Sequence, residues 1–191
     1  MSEPTPERIC VFTAGRPGTP EIEEEARRLG ELIGQRGFGL VYGGLDIGTM
    51  GIVAHSAKDN GAEVIGVVPG ASQDEYVAHP GARTALNDRT IGVASLAERK
   101  EQMFNLSGAV IALAGGAGTF GEIGTAIEER RKLIVVNTNG FYDALKEQFA
   151  AMHAARLASD ITRHQVRFVA NAEEAIDQAV KQIRKPSALP F

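Results

Sequence analysis

The stretch AVIALAGGAGTFGE, Ala109 to Glu122, joins an apolar run to a glycine-rich turn and then to a carboxylate. Successive apolar residues without polar alternation read as a strand buried on both faces, the mark of a parallel sheet. Bare backbone directly after such a strand lets the chain reverse and lets a ligand approach the main chain. The amides that open the following helix then point at an anion. Thr119 stands where a first-turn hydroxyl can meet an oxyanion. Glu122, one turn further in, projects from the helix start into the crevice beyond the strand ends.

The same pattern repeats outward from this stretch. Apolar runs lie at ICVF (9–12), LVY (40–42), EVIGVV (63–68) and KLIVVN (132–137), with a weaker one at QVRFV (165–169). Helical periodicity fills the intervals, over Pro20 to Gln35, Met50 to Asn60, Ser95 to Leu106, Thr119 to Arg131, Gly140 to Leu157 and Asn171 to Ile183. Ser95 with Glu98 three residues on is a capping box, and Asn171 is an N-cap. Strand alternating with helix predicts an α/β Rossmann-like doubly wound parallel sheet, with its ligand crevice at the carboxyl ends of the strands. The expectation is a single domain over 1–191, with a core from about 9 to 183 and a loose tail at 185–191. Residues 70–90 lack a period and read as a loop or lid over the crevice.

The composition narrows the function. A net charge of -4 and a pI near 5.6 argue against a nucleic-acid polymer or a membrane surface as partner. The single cysteine, Cys10, fits a reducing cytoplasm, and the acidic, polar start is not a signal peptide. Four histidines lack metal-ligand spacing, which points to surface or packing roles. Two further glycine-rich turns, TAGRPG (13–18) and YGGLDIGTMG (42–51), also follow predicted strands. Three such turns on one edge favour a phosphate-bearing ligand, while the absence of GK[ST] and of GxGxxG spacing disfavours a Walker loop or a conventional NAD site. Arg99 and Lys100 lie on the helix before the 109–113 strand, and Met103 marks that flank as partly inward-facing.

With these residues in view, the chain resembles the LONELY GUY (LOG) family, often labelled "lysine decarboxylase-like". The family signature PGGxGTxxE is matched by Ala114 to Glu122, with Ala114 in place of proline. The signature VYGGGxxGLMG is matched by Val41 to Gly51, with Leu45 in place of a glycine and Thr49 in place of a leucine. The ERKxxM helix is kept as Glu98, Arg99, Lys100 and Met103, and the usual Cys-Gly-Ser after the first strand has become Thr13-Ala14-Gly15. The resemblance runs from about Ile9 to Leu145.

That resemblance implies a cytoplasmic hydrolase that cleaves the N-glycosidic bond of nucleoside 5′-monophosphates, cytokinin nucleotides among them, to free base and ribose 5-phosphate. It implies Arg99 and Glu122 as the catalytic pair, and a phosphate cradle of Gly115, Gly116, Ala117, Gly118 and Thr119, helped by Gly43, Gly44 and Lys100. Met103, Thr125 and Asp46 are candidate base or sugar contacts, and the resemblance also implies a homodimer that needs no metal and no redox cofactor. Departures at 70–90 and after Glu122 leave the base open between an adenine or cytokinin type and a pyrimidine or modified one. The alternative is a non-catalytic nucleotide or molybdenum-cofactor carrier on the same fold.

Overall fold

The computed structural model describes residues 7–70, 85–158 and 164–184. The expected loose tail and most of the 70–90 loop lie outside that range.

Among the described residues, seven strands form one sheet: β1 (Arg8–Phe12), β2 (Gly39–Tyr42), β3 (Val64–Pro69), β4 (Arg89–Val93), β5 (Ala109–Ala112), β6 (Leu133–Val136) and β7 (Val166–Val169). Their order is β4-β3-β2-β1-β5-β6-β7, and every pairing is parallel. The helices among the described residues are α1 (Pro20–Gln35), α2 (Gly48–Asp59), α3 (Leu96–Asn105), α4 (Ala117–Glu128), α5 (Asp143–Ala154) and α6 (Ala172–Arg184). The expected α/β Rossmann-like sheet is therefore observed.

Side-chain alternation along the strands builds two cores. Ile9 and Val11 of β1 and Ile111 of β5 face α1, α2 and α6. Cys10 and Phe12, with Val110 and Ala112, face α3 and α4. These central strands are buried on both sides, as their uninterrupted apolar runs require.

The strand β4 had no counterpart in the sequence reading. Its residues RTIGV are mostly part-exposed, because it is an edge strand that buries only Val93. Edge position removes the need for an apolar run, and with it the signal. Helix α5 starts at Asp143 rather than Gly140, because Thr138–Gly140 forms a 3-10 turn with Asn139 at φ 50.

The chain fills the sheet from β1 outward through β2 and β3 to β4, then crosses back to lay β5 on the other side of β1. Phe12 pairs with Ala112 at that junction. The point where the order reverses is where an open α/β sheet leaves a crevice at its carboxyl ends.

Candidate functional site

A cavity of about 560 Å³ opens at this junction. One wall is the turn from Thr13 to Gly18 after β1, and the other is the start of α4 after β5. Among the described residues, the charged side chains that line it are Arg16, Arg99 and Glu122, with Ile22, Met50 and Phe141 supplying apolar surface.

Helix α4 brings unsatisfied donors to the cavity. Gly116 is its extended N-cap, and the first amide bonded back to the cap is Phe120, at 3.1 Å from the Gly116 carbonyl. The amides of Ala117, Gly118 and Thr119 precede that bond and have no acceptor within the helix, and all three residues line the cavity. Aligned amides at the positive end of a helix form an anion site. A Cβ at Gly115 would collide with the Thr119 side chain, so glycine there makes room for a threonine that is 2% exposed. Helix α2 offers no such site: its Thr49 and Met50 amides already donate to the carbonyls of Arg16 (3.3 Å) and Ala14 (3.1 Å).

Glu122 is only 8% exposed. Burial pushes its carboxyl from the usual 4.5 up to about 7, with the charges of Arg99 and Lys100 pulling the other way. The Arg99 Nη1 lies 3.9 Å from Glu122 Oε1. Arg99 is fixed by Nε, which donates to the Val67 carbonyl at 2.9 Å. It is carried by α3, whose start is secured by Ser95 Oγ accepting from the Glu98 amide at 3.1 Å and the Glu98 carboxylate accepting from the Ala94 amide at 2.9 Å.

The other sequence-derived positions fall in three places. Gly43 lies under Arg99, where any Cβ would run into the guanidinium, and Gly44 packs with positive φ against Val68 and Gly66. Both glycines make room for protein groups and are outside the cavity lining. Lys100 Nζ donates to Thr125 Oγ1 at 2.8 Å, and Thr125 Oγ1 donates to the Gly121 carbonyl at 2.8 Å, so the two tie α3 to the flank of α4. Met103 is buried in the core beside Phe104. Asp46 meets His55 Nε2 at 3.0 Å in a separate pocket between α1 and α2.

Several residues of the site escaped the sequence reading. Thr13, Arg16 and Phe141 line the cavity. Tyr142 donates through its hydroxyl to the Leu113 carbonyl at 2.8 Å, and burial together with the nearby Glu122 charge raises its pKa. The TAGRPG turn marked the region of Thr13 and Arg16, but nothing in the sequence singled out either side chain. Cys10 is buried with its thiol pKa raised, chiefly by burial. Among the described residues, no group of three or more His, Cys, Asp or Glu could hold a metal ion, and no helix is long and apolar enough to cross a membrane.

Comparison with known proteins adds a family. The SLOG cluster4 family matches residues 7–176. The cytokinin riboside 5'-monophosphate phosphoribohydrolase LOG of Oryza sativa subsp. japonica is 34% identical over 166 residues, covering 78% of this chain and 66% of the rice protein. The chain thus spans slightly less than two thirds of that relative. The phosphoribohydrolase of the same name from Rhodococcoides fascians is 30% identical, covering 92% of this chain and 90% of its own. Among solved structures, the molybdenum cofactor binding protein from the phototrophic bacterium Rippkaea orientalis superposes with a TM-score of 0.73 at 25% identity, covering 96% of this chain and all 100% of that one. The Moco carrier protein from Chlamydomonas reinhardtii shares the fold, with a TM-score of 0.72 at 23% identity, over 94% of this chain and 99% of its own.

Proposed function

The chain belongs to the SLOG cluster4 family, and from that membership together with the cavity we propose that it is a phosphoribohydrolase acting on nucleoside 5′-monophosphates. The observation that carries the reading is the buried carboxylate of Glu122, 3.9 Å from Arg99, at the edge of an anion site built from helix amides.

In this reading the 5′-phosphate binds the amides of Ala117, Gly118 and Thr119. The sugar then lies with its anomeric carbon toward Glu122. Breaking the bond from C1′ to the base nitrogen builds positive charge on the ribose. The Glu122 carboxylate stabilises that charge and accepts a proton from the attacking water, whose oxygen bonds C1′. The departing base takes up a proton, so nucleotide and water give base and ribose 5-phosphate. Arg99 holds the carboxylate in position and favours its ionised form. Anchoring the remote phosphate supplies orientation at the reacting carbon.

The named activity of the LOG relatives supports cytokinin riboside monophosphates as the first substrates to try. A homodimer belongs to the same proposal, supported by the family resemblance and by Phe120 and Phe141, which stay 48% and 45% exposed. A cytoplasmic setting is supported by the unpaired, buried Cys10.

The test is a chromatographic screen of purine, cytokinin and pyrimidine monophosphates for released base and ribose 5-phosphate. We expect both products in equal amounts from at least one substrate. Tight binding across the panel with no product would overturn the enzyme reading and favour a non-catalytic binding protein, in line with the cofactor-binding role named for the Rippkaea orientalis neighbour.

A further inference from the structure

We propose that Thr13 reads the sugar of the bound nucleotide, its hydroxyl oxygen accepting a hydrogen bond from a ribose hydroxyl, and that Thr49 is the positioning residue that holds it there. The inference rests on the nucleotide reading above and deepens it.

Thr13 follows β1 directly, lines the cavity and is 6% exposed, while Thr49, in the first turn of α2, is fully buried. Their hydroxyl oxygens are 2.7 Å apart. Thr49 Oγ1 also accepts from the Ala14 amide at 3.0 Å and faces the Ala14 carbonyl at 3.0 Å. Thr13 Oγ1 faces the Ala114 carbonyl at 3.3 Å.

A hydroxyl has one proton and two lone pairs. In one arrangement Thr49 donates to the Ala14 carbonyl and Thr13 donates to Thr49. In the other, Thr49 donates to Thr13 and Thr13 donates to the Ala114 carbonyl. With Thr13 donating to Thr49 or to the Ala114 carbonyl, its single proton is used within the protein and a lone pair is left for the cavity. Thr13 therefore presents an acceptor and needs a donor from the ligand.

A phosphate dianion offers no donor, so this corner of the cavity does not suit the phosphate, and the amides at the start of α4 do. Ala114, which Thr13 touches, is two residues before the N-cap of that helix. A sugar attached to a phosphate held there lies within reach of Thr13. With C5′ tethered by phosphate and C1′ turned to Glu122, the donors left for Thr13 are the hydroxyls of the furanose.

The sequence supports the pair independently. Thr13 and Thr49 each depart from a family motif, standing in place of its cysteine and its leucine, and the two departures meet in space. A buried hydroxyl at either position alone would lack this partner.

The experiment compares a ribonucleoside 5′-monophosphate with its 2′-deoxy and 3′-deoxy analogues, on the wild-type chain and on Thr13→Val, Thr13→Ser and Thr49→Val. The wild type is expected to prefer the ribonucleotide over one analogue by tenfold or more in kcat/KM. Thr13→Val should cut that preference to threefold or less, Thr49→Val should lower it part of the way, and Thr13→Ser should keep it. A wild type that treats all three substrates alike overturns the proposal, whether or not any variant folds. So does a Thr13→Val preference equal to the wild type's, or a serine variant that behaves like the valine one. The same ratios are read as Kd by calorimetry. A chain that binds the nucleotides without cleaving them therefore overturns the phosphoribohydrolase reading, while the affinity ratios still decide this one.

Discussion

The Nη1 of Arg99 stands 3.9 Å from Oε1 of Glu122, with both side chains more than four-fifths buried. That separation is too long for a hydrogen bond and short enough for strong Coulomb attraction in a poorly solvated site. The guanidinium is held from its other edge by the Val67 carbonyl, and the carboxylate is delivered by a different helix. The two residues meet because β4 and β5, which lead into α3 and α4, end at the same edge of the parallel sheet.

The first prediction concerns pH. Below the ordinary 4.5 both the folded and the unfolded chain hold the Glu122 proton, and the group contributes nothing to stability. Between 4.5 and about 7 the unfolded chain has lost that proton while the folded chain keeps it, so folding is progressively disfavoured. Above that the penalty is complete, roughly 3 kcal/mol at about 1.4 kcal/mol per unit. Glu122→Gln should stabilise the chain by about 2–3 kcal/mol in urea unfolding at pH 8 and change it little at pH 4. Activity should run the other way in the wild type, with kcat/KM rising through about pH 7 and levelling above it.

The second prediction concerns Gly43. Alanine there places a methyl where the Arg99 guanidinium now lies. The guanidinium must move, and its bond to Val67 must lengthen or break. We expect Gly43→Ala to lower kcat by roughly tenfold or more, because misplaced catalytic groups are costly. Nucleotide affinity should change by less than about threefold, since the proposed phosphate site lies on α4. Steady-state kinetics alongside calorimetry separates the two effects.

How much of this was legible in the sequence depends on what each signal encodes. Central strands such as β5 announce themselves because burial on both faces demands unbroken apolar runs. The half-buried edge strand β4 has no such demand and passed unseen. The glycine-rich turn at Gly115–Gly118 and the carboxylate at Glu122 were visible because both belong to one local segment. The glycines at Gly43 and Gly44 were visible too, but a bare backbone looks the same in sequence whether a ligand or an arginine comes close. Thr13 and Thr49 are 36 positions apart, and no local pattern links them.

The third prediction concerns the phosphate. If the α4 amides hold it, a nucleoside without phosphate should lose kcat as well as affinity, with kcat/KM lower by about a thousandfold or more. Inorganic phosphate should inhibit competitively against the nucleotide. A nucleoside cleaved as fast as its monophosphate contradicts that assignment.

The most direct measurement is a paired one on Glu122→Gln: nucleotide affinity by calorimetry and base release by chromatography, at pH 8, with wild type as reference. The account predicts affinity within about threefold of wild type and base release lower by at least a thousandfold. Base release at the wild-type rate from the glutamine variant contradicts it.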